Sequence, residues 1–454
     1  MIDLEKYKIA FRDMPSQIQE AEVNAEIHDT VIVYVSEEER NGVEISKKSA
    51  LYVRASGEKT GYYYTEDLQE DAMCAIKMAY ENGLYSENAQ CEDMCQESKT
   101  LDFGEEKAEQ NVEVLSALAM ELLKTVKSHM EFPKEKITVW GSLKAENFGQ
   151  QVVNSHGLEV CCVKPLYILE IGACVDVEGQ VYGSGASLAA GNVKYFDLKQ
   201  AAKDISMKCR VQMKSTKPFV AGEYPVILGN SVVYYLLATG WQFFSGVKYV
   251  NGSTVLKEKI GEKISYRCLE LTDKVWKEGK GFPILCDCEG SVGANASIIK
   301  DGVWCGFLHN RTSAKQMAQS LTGNAGRRPL LSGTICTDVL VTPKNFCIEP
   351  GTASLEEMKS HMGNGILLTE SFDVFHTLDI ATGDFSIPCY GIRIEDGEEK
   401  EGFTGLTMTG NIRSLLANVV EVGLEEMLHP MIAVDNYGIG SCPIRLESLY
   451  LSGE

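Results

Sequence analysis

The chain has 454 residues, 44% hydrophobic and 24% charged, a globular composition too long for one ordinary core and suited to two or three domains. Its formal net charge is −21, from 64 acidic and 43 basic residues. Such a field repels phosphate backbones, and with no Lys/Arg run to offset it the composition argues against direct nucleic-acid binding.

No apolar run reaches the roughly 18 residues a membrane span needs. The N-terminus MIDLEKYKIAFRDM is charged throughout and lacks a signal peptide's apolar middle, so a soluble cytoplasmic protein is expected. The 15 cysteines are an odd number scattered through apolar segments, which reads as buried free thiols rather than disulfides. The closest spacings, Cys91 with Cys95 and Cys286 with Cys288, lack a second pair at zinc-ribbon distance.

In chain order, VIVYVS, ALYVRAS and GYYYT between Thr30 and Tyr64 are strand-like, and the turn chemistry between them predicts an antiparallel meander. A helix is expected to start at Thr65 as cap and to stop at Gly83, and a second, long amphipathic helix to run from Glu105 to Lys127. Strand signals dominate from Lys136 to Ala190. A helix follows over Leu198 to Met213, then the linker KSTKPFVAG.

The predicted fold class is α+β: an N-terminal α+β domain over 1–215, and a mainly antiparallel β sheet or barrel domain over 216–454. The second half repeats short apolar runs about every ten residues, with Asp-Gly, Pro-Gly and Asn-Gly turns. Two helices are expected to interrupt it, Ser354 to Met362 and Ile412 to Val420. It opens on a strand at Pro225 to Leu228 and an apolar helix over 231–246 that carries no Asp, Glu, His, Lys or Arg. A helix so lacking in charge is normally enclosed by protein.

The second half resembles the TldD/PmbA family, once described as modulators of DNA gyrase and grouped with zinc peptidases. The motifs are LTGNAGRRP (Leu321 to Pro329), NFCIEPGTASLEEM (Asn345 to Met358), GILLTE (Gly365 to Glu370), ATGDFS (Ala381 to Ser386), IRIEDGE (Ile392 to Glu398) and MTGNIRSLLANVVEVG (Met408 to Gly423). Six motifs in order are far more specific than any one. In the first half the likeness is looser, through YYYTEDLQEDAMCAIKMA (Tyr62 to Ala79).

Members of the TldD kind carry His-Glu-x-x-x-His on the helix after the strand that PVILG matches, with a C-terminal cysteine as third zinc ligand. That spacing puts both histidines on one helix face with the glutamate beside the metal's water. Here the segment is YYLLATGWQFFSG (Tyr234 to Gly246), without His or Glu. The chain therefore looks like the PmbA (TldE) kind. Cys442 lacks the Gly-rich segment that follows the ligand cysteine in TldD and is not counted as a ligand. The segment CEGSVGANASIIKDG (Cys288 to Gly302) is shorter than the family's usual connection.

Other constellations are weak. Glu426 with His429 and Glu357 with His361 share helical spacings but lack a third ligand, and read as solvent-facing pairs, His429 at a helix end before Pro430. GSGAS (Gly183 to Ser187) is not a nucleophile elbow. Cys305, near His309, reads as core. GNAGRR lacks the ending of a phosphate loop.

The resemblance implies a non-metal companion of a TldD-like zinc subunit, or a self-dimer, acting on unstructured peptides. No catalytic and no metal-binding residue is assigned, and zinc is expected only in the partner. Gly323, Asn324, Arg327, Arg328, Gly410 and Asn411 are candidates for a peptide groove, because Gly-Asn pairs free backbone donors for strand addition and the arginines can hold a carboxylate. The competing reading is that these segments are turns fixing the fold. Alternative functions are a peptidase with dispersed ligands and a non-enzymatic peptide-binding homodimer.

Overall fold

Alternating apolar and polar residues build a long antiparallel hairpin from β1 (Glu20–Ser36) and β2 (Arg40–Ser56), preceded by helix α1 (Glu5–Ala10). The structure is a computed structural model that describes residues 1–37, 39–87, 91–216, 218–256, 260–266, 268–275, 280–327, 338–431 and 437–453. The first half continues through β3 (Thr60–Thr65), α2 (Ala72–Tyr85), β4 (Lys99–Glu105), α3 (Val112–His129), β5 (Ile137–Asn154), β6 (Leu158–Val177), β7 (Gln180–Ala190) and α4 (Leu198–Met213). Among the described residues these strands form one seven-stranded sheet, ordered β3-β2-β1-β5-β6-β4, with β7 also on β6.

Period-two alternation gives the sheet two different faces. Val23, Ala25, Val31 and Val33 of β1 point into the cores under the four helices. The opposite face carries the cross-strand pair Glu22 and Arg54 and receives the second half of the chain. Phe282 packs on Leu166, Ile168 and Ala189, and Cys286 on Val152, Val160 and Cys162. Arg54, fully buried, donates to Glu22 at 2.8 Å, to Glu289 at 2.9 Å and to Glu92 at 3.2 Å.

The second half begins with β8 (Gly222–Leu228) and α5 (Asn230–Gly240), a 3₁₀ turn over Trp241–Phe244, and α6 (Gly246–Val250). There follow β9 (Leu271–Asp273), β10 (Ala296–Lys300), β11 (Val303–Trp304), α7 (Arg311–Gln316), β12 (Ala325–Gly326), β13 (Leu340–Val341), β14 (Asn345–Ile348), α8 (Leu355–Met362), β15 (Gly365–Ser371) and α9 (Val374–Thr377). The remainder is β16 (Asp384–Glu395), β17 (Glu398–Asn411), α10 (Ile412–Ala417), β18 (Val419–Val422), β19 (Met427–Pro430), β20 (Gly438–Ser441) and β21 (Ile444–Gly453).

β17, β16, β15, β8 and β21 pair in that order, and β17 returns to β21, which closes a barrel. A second sheet runs β11-β10-β9-β14-β20-β19. Helix α5 and the 3₁₀ turn after it lie in the core they share, where Val232, Val233, Leu236 and, from the turn, Phe243 join barrel and second-sheet side chains. Burying each such side chain contributes roughly 1.5–3 kcal/mol.

The α+β class, the first meander and the barrel agree with the sequence reading, and several boundaries differ from it. Thr65 does not cap a helix, because it ends β3 opposite Leu51; the cap is Asp71, whose side chain accepts from the Cys74 N–H. Gly83 does not stop α2. A Cβ there would lie 2.7 Å from the Gly61 nitrogen, so glycine lets helix and strand backbones touch. The helix expected from Glu105 starts at Val112 under the Asn111 cap, and the acidic stretch before it includes β4, parallel to β6. The last predicted helix ends at Ala417, since β18 pairs with β21. The apolar helix over 231–246 breaks at Gly240. Around Pro430 there is strand, not a helix end. The second half is mainly antiparallel as expected, with β8 parallel to β15 and β14 parallel to β20.

Candidate functional site

Helix α5 is held at its start from two sides. The Gly229 N–H donates to the Leu368 carbonyl of β15 at 2.8 Å, and Asn230 Nδ2 donates to the Glu425 and Ser441 carbonyls at 2.7 and 2.9 Å. The Tyr234 hydroxyl donates to the Pro430 carbonyl at 2.8 Å. This pose turns Ser231, Tyr234 and Tyr235 toward a cavity of about 510 Å³ bounded by β6, β7, α4, β15 and β19.

The cavity lining is polar. Lys208 of α4, 4% exposed, contacts Asp204 Oδ2 at 2.7 Å one turn earlier and donates to the Gly185 carbonyl at 3.1 Å. Burial pulls its pKa down, but Asp204 and Glu370 more than offset that and hold it above the ordinary lysine value. An ammonium so held cannot serve as a general base at neutral pH. Glu370 accepts from Ser184 Oγ at 2.8 Å. Burial lifts its carboxyl above the usual range, and Lys208 and Ser184 only partly offset this. Beside it in sequence, Ser371 is 2% exposed and its Oγ has no hydrogen-bond partner among the described residues.

His429 closes the floor. Its ring stacks on Tyr234 with centroids 4.4 Å apart. Nδ1 lies 3.1 Å from the Ser187 carbonyl and must donate to it, which leaves Nε2 to accept from Ser441 Oγ at 3.0 Å. Burial, with Lys208 nearby, pushes its pKa down to about 3. His429 is thus a neutral interior side chain, and the solvent-facing reading of the Glu426 and His429 pair fails for it.

Whether these residues could hold zinc is decided by their donors. The side chains that α5 turns to the cavity, Ser231, Tyr234 and Tyr235, include no imidazole, thiol or carboxylate, and both nitrogens of His429 are engaged. Cys442 Sγ donates to the Ile348 carbonyl at 3.6 Å, and burial raises its thiol pKa. Among the described residues no three His, Cys, Asp or Glu side chains converge as a metal requires. The residues present do not fit a zinc ion.

The groove candidates fall in two separate places. Gly323 has a φ of 67°, and a Cβ there would meet the Gly293 backbone at 2.9 Å. Asn324 is 1% exposed; its Nδ2 donates to Asp273 at 2.7 Å and to the Thr342 carbonyl at 2.9 Å. Lys344 Nζ donates to Asn324 Oδ1 at 3.0 Å and to the Thr322 carbonyl at 2.9 Å, and lies 2.8 Å from Asp273. Arg327 is buried with its guanidinium over the Tyr52 ring, 5.1 Å from the centroid. Arg328 lies outside the described residues. Gly410 and Asn411 end β17, where Asn411 caps α10 and bonds Asp384 at 2.8 Å.

The minor candidates separate as well. Cys305 is exposed rather than core, while His309 is buried between Ser313 and Gln319. Glu357 belongs to the Ser354 capping box, and His361 faces Glu421 at 2.7 Å. Sequence reasoning missed Lys208, Glu370 and Ser371. The signals were present, as Asp204 with Lys208 at helical i, i+4 spacing and as the end of the GILLTE motif.

Comparison with known proteins places these observations. Residues 221–453 match the family described as PmbA/TldA metallopeptidase C-terminal domain. The chain is 27% identical over 201 residues to the metalloprotease PmbA of Escherichia coli O157:H7, covering 44% of this chain and 40% of that protein. The chain spans 36–57% of the length of the curated relatives it was compared with. Its fold is that of TldE from Thermococcus kodakarensis, with a TM-score of 0.78 at 19% identity, covering 99% of this chain and all of the other. A Thermotoga maritima MSB8 structure, whose description connects it with modulation of a DNA gyrase, gives 0.77 at 20% identity, over 99% and 98% of the two chains.

Proposed function

The chain belongs to the PmbA/TldD family of metallopeptidases, and we propose that within it this protein is a companion subunit without zinc, paired with a TldD-type zinc subunit that cuts unstructured peptides. The observation that carries this reading is α5. The helix that bears the metal motif in zinc-type members offers Ser231, Tyr234 and Tyr235 to the cavity, and Tyr234 is stacked on His429. In this reading the chain forms part of the wall of a peptide chamber, works in the cytoplasm, and leaves hydrolysis to its partner. That no helix is long and apolar enough to cross a membrane is compatible with this.

The test is elemental analysis of the purified chain after dialysis with zinc, together with peptide cleavage by the chain alone and with a TldD-type subunit from the same organism. The expected result is no tightly held zinc, no cleavage alone, and cleavage in the mixture. About one zinc per chain with chelator-sensitive cleavage would overturn the reading. A stable self-dimer that binds peptides, and that the zinc subunit neither joins nor activates, would replace it with the peptide-binding homodimer.

A further inference from the structure

We propose that the free edge of β2, from Gly42 to Ala50, pairs antiparallel with the same edge of a second copy of this chain, about a two-fold axis through Ser46. This is independent of the companion-subunit reading, which rests on α5 and the cavity it faces.

Strand β2 is longer than its outer neighbour. β3 pairs only with Leu51 to Ser56, so from Arg40 to Ala50 β2 is paired on one side, with β1. The flanking strands fix which backbone groups that leaves over. The Ala21 N–H donates to Ser155 Oγ at 3.1 Å and its carbonyl accepts from the Ser155 N–H at 2.9 Å, so odd-numbered residues of β1 bond toward β5 and even-numbered ones toward β2. On the far side of β2, the carbonyl of Tyr62, opposite Arg54, points away from β2 and accepts from Asn82 Nδ2 at 2.8 Å. The register does not shift between Gly42 and Ser56. Val43, Ile45, Lys47 and Ser49 therefore aim their N–H and C=O groups out of the sheet, and among the described residues none of these groups is hydrogen-bonded.

An apolar strip accompanies this edge. Val43 and Ile45 lie opposite Val33 and Val31, on the face that elsewhere packs under the helices, yet they are 40% and 67% exposed. Unpaired backbone beside exposed apolar side chains is a template for another strand.

The charges select the mate. Outward-bonding residues must oppose one another, so a two-fold axis passes through a residue of the edge and not between two. At Glu44, Lys47 or Lys48 it would set like charges face to face. At Ile45 it would leave Glu44 opposite Ser46, and nearer either end it would pair fewer residues. At Ser46 it sets Glu44 opposite Lys48 on both sides of the axis, Val43 opposite Ser49, and Ile45 opposite Lys47, whose aliphatic stem covers it. Within one chain Glu44 accepts only from the Tyr34 hydroxyl, at 3.4 Å, and Lys48 makes no ion pair among the described residues. Lysines on an edge ordinarily deter strand addition; here Lys48 gains a carboxylate in one register, with its own sequence as the mate. Beyond Gly42 the hairpin tip must turn away from the mate's β3, which the glycine and the register shift at Tyr34 and Val35 allow.

Sedimentation velocity of the full chain over a concentration series reads the monomer–dimer equilibrium. The wild type is expected to dimerise reversibly. Glu44→Lys should weaken the dimer about tenfold by turning two attractive pairs into repulsive ones, and adding Lys48→Glu should restore it. Thermal unfolding checks that each variant is folded. Ser46→Cys should join two chains through a disulfide on treatment with oxidised glutathione, because Cα atoms of a directly opposed non-hydrogen-bonded pair lie about 4.5 Å apart. Glu44→Cys, facing Lys48, and the wild type, with its own exposed cysteines, should not.

A monomer at every concentration, a dimer that Glu44→Lys leaves as tight, a double variant that stays weak, or cross-linking no greater for Ser46→Cys than for Glu44→Cys would overturn the proposal. None of these results bears on zinc content or on cleavage with the zinc subunit, so the companion-subunit reading stands or falls separately.

Discussion

The Tyr234 phenol ring lies on the His429 imidazole, with centroids 4.4 Å apart and an interplanar angle of 26°. The two residues come from α5 and β19, and each makes its own polar contact outward: the Tyr234 hydroxyl to the Pro430 carbonyl, the imidazole to Ser187 and Ser441. A histidine in this setting is a packing element that must stay neutral, and that has a measurable consequence.

The folded pKa of His429, about 3, lies below the ordinary value of 6.5. Between those values the unfolded chain binds a proton that the folded chain does not, so stability falls as pH falls. The contribution is complete above about 6.5 and is lost progressively below it, by roughly 2 kcal/mol between pH 7 and 5. Urea denaturation at both pH values should show His429→Gln losing less stability on acidification than the wild type. An equal loss in both would show that this imidazole is not the sensor.

Arg54 should behave as a link between the two halves of the chain. Arg54→Met leaves the buried Glu22 and Glu289 without the cation they share, at a cost of about 3–5 kcal/mol. Burial already lifts the Glu22 pKa, with Arg54 opposing it, so in the variant that carboxyl protonates more readily in the folded state. The deficit should narrow as pH is lowered from 7 toward 5, and a deficit that widens would refute this account. The readout is the denaturation midpoint of each protein at each pH.

Asn324 tests whether the LTGNAGRRP segment serves the fold or a ligand. Its amide joins buried Asp273 and its carbonyl oxygen accepts from Lys344, itself fully buried. Asn324→Ala should cost about 1–3 kcal/mol by leaving these groups short of a partner. Peptide affinity of the folded variant should stay within about twofold, well under the tenfold that 1.4 kcal/mol represents. A large loss of affinity at unchanged stability would instead restore this residue to a peptide groove.

Helix α8 offers a control, since none of its residues lines the cavity. Ser354 accepts from the Glu357 N–H while Glu357 returns to the Ser354 N–H at 2.8 Å. Ser354→Ala should lower stability by about 1 kcal/mol, as loss of a helix cap does. Peptide binding should be unchanged.

Several elements were legible because their causes are local. The Ser354 capping box, the helix over Leu198–Met213 and the alternation of β1 and β2 need only neighbouring residues to specify them. The errors had causes that lie far away in the chain. Thr65 carries the chemistry of a cap, but its pairing with Leu51 keeps it in a strand. Gly83 looks like a stop, but the approach of β3 makes it a contact point.

The sequence by itself determined that this chain has the family's motif order and that its motif helix carries no metal-ligating side chain, since residue identity and spacing settle both. The tertiary structure alone decided what surrounds that helix. Lys208, Glu370, Ser371 and His429 resemble solvated residues when read in line. They become a polar cavity only because the sheet of the first half packs on α5 and the barrel, bringing Ser187 to within 3.1 Å of His429. Burial changes the electrostatics of an ionisable group more than its neighbours in sequence do, and burial is a property of the packed molecule.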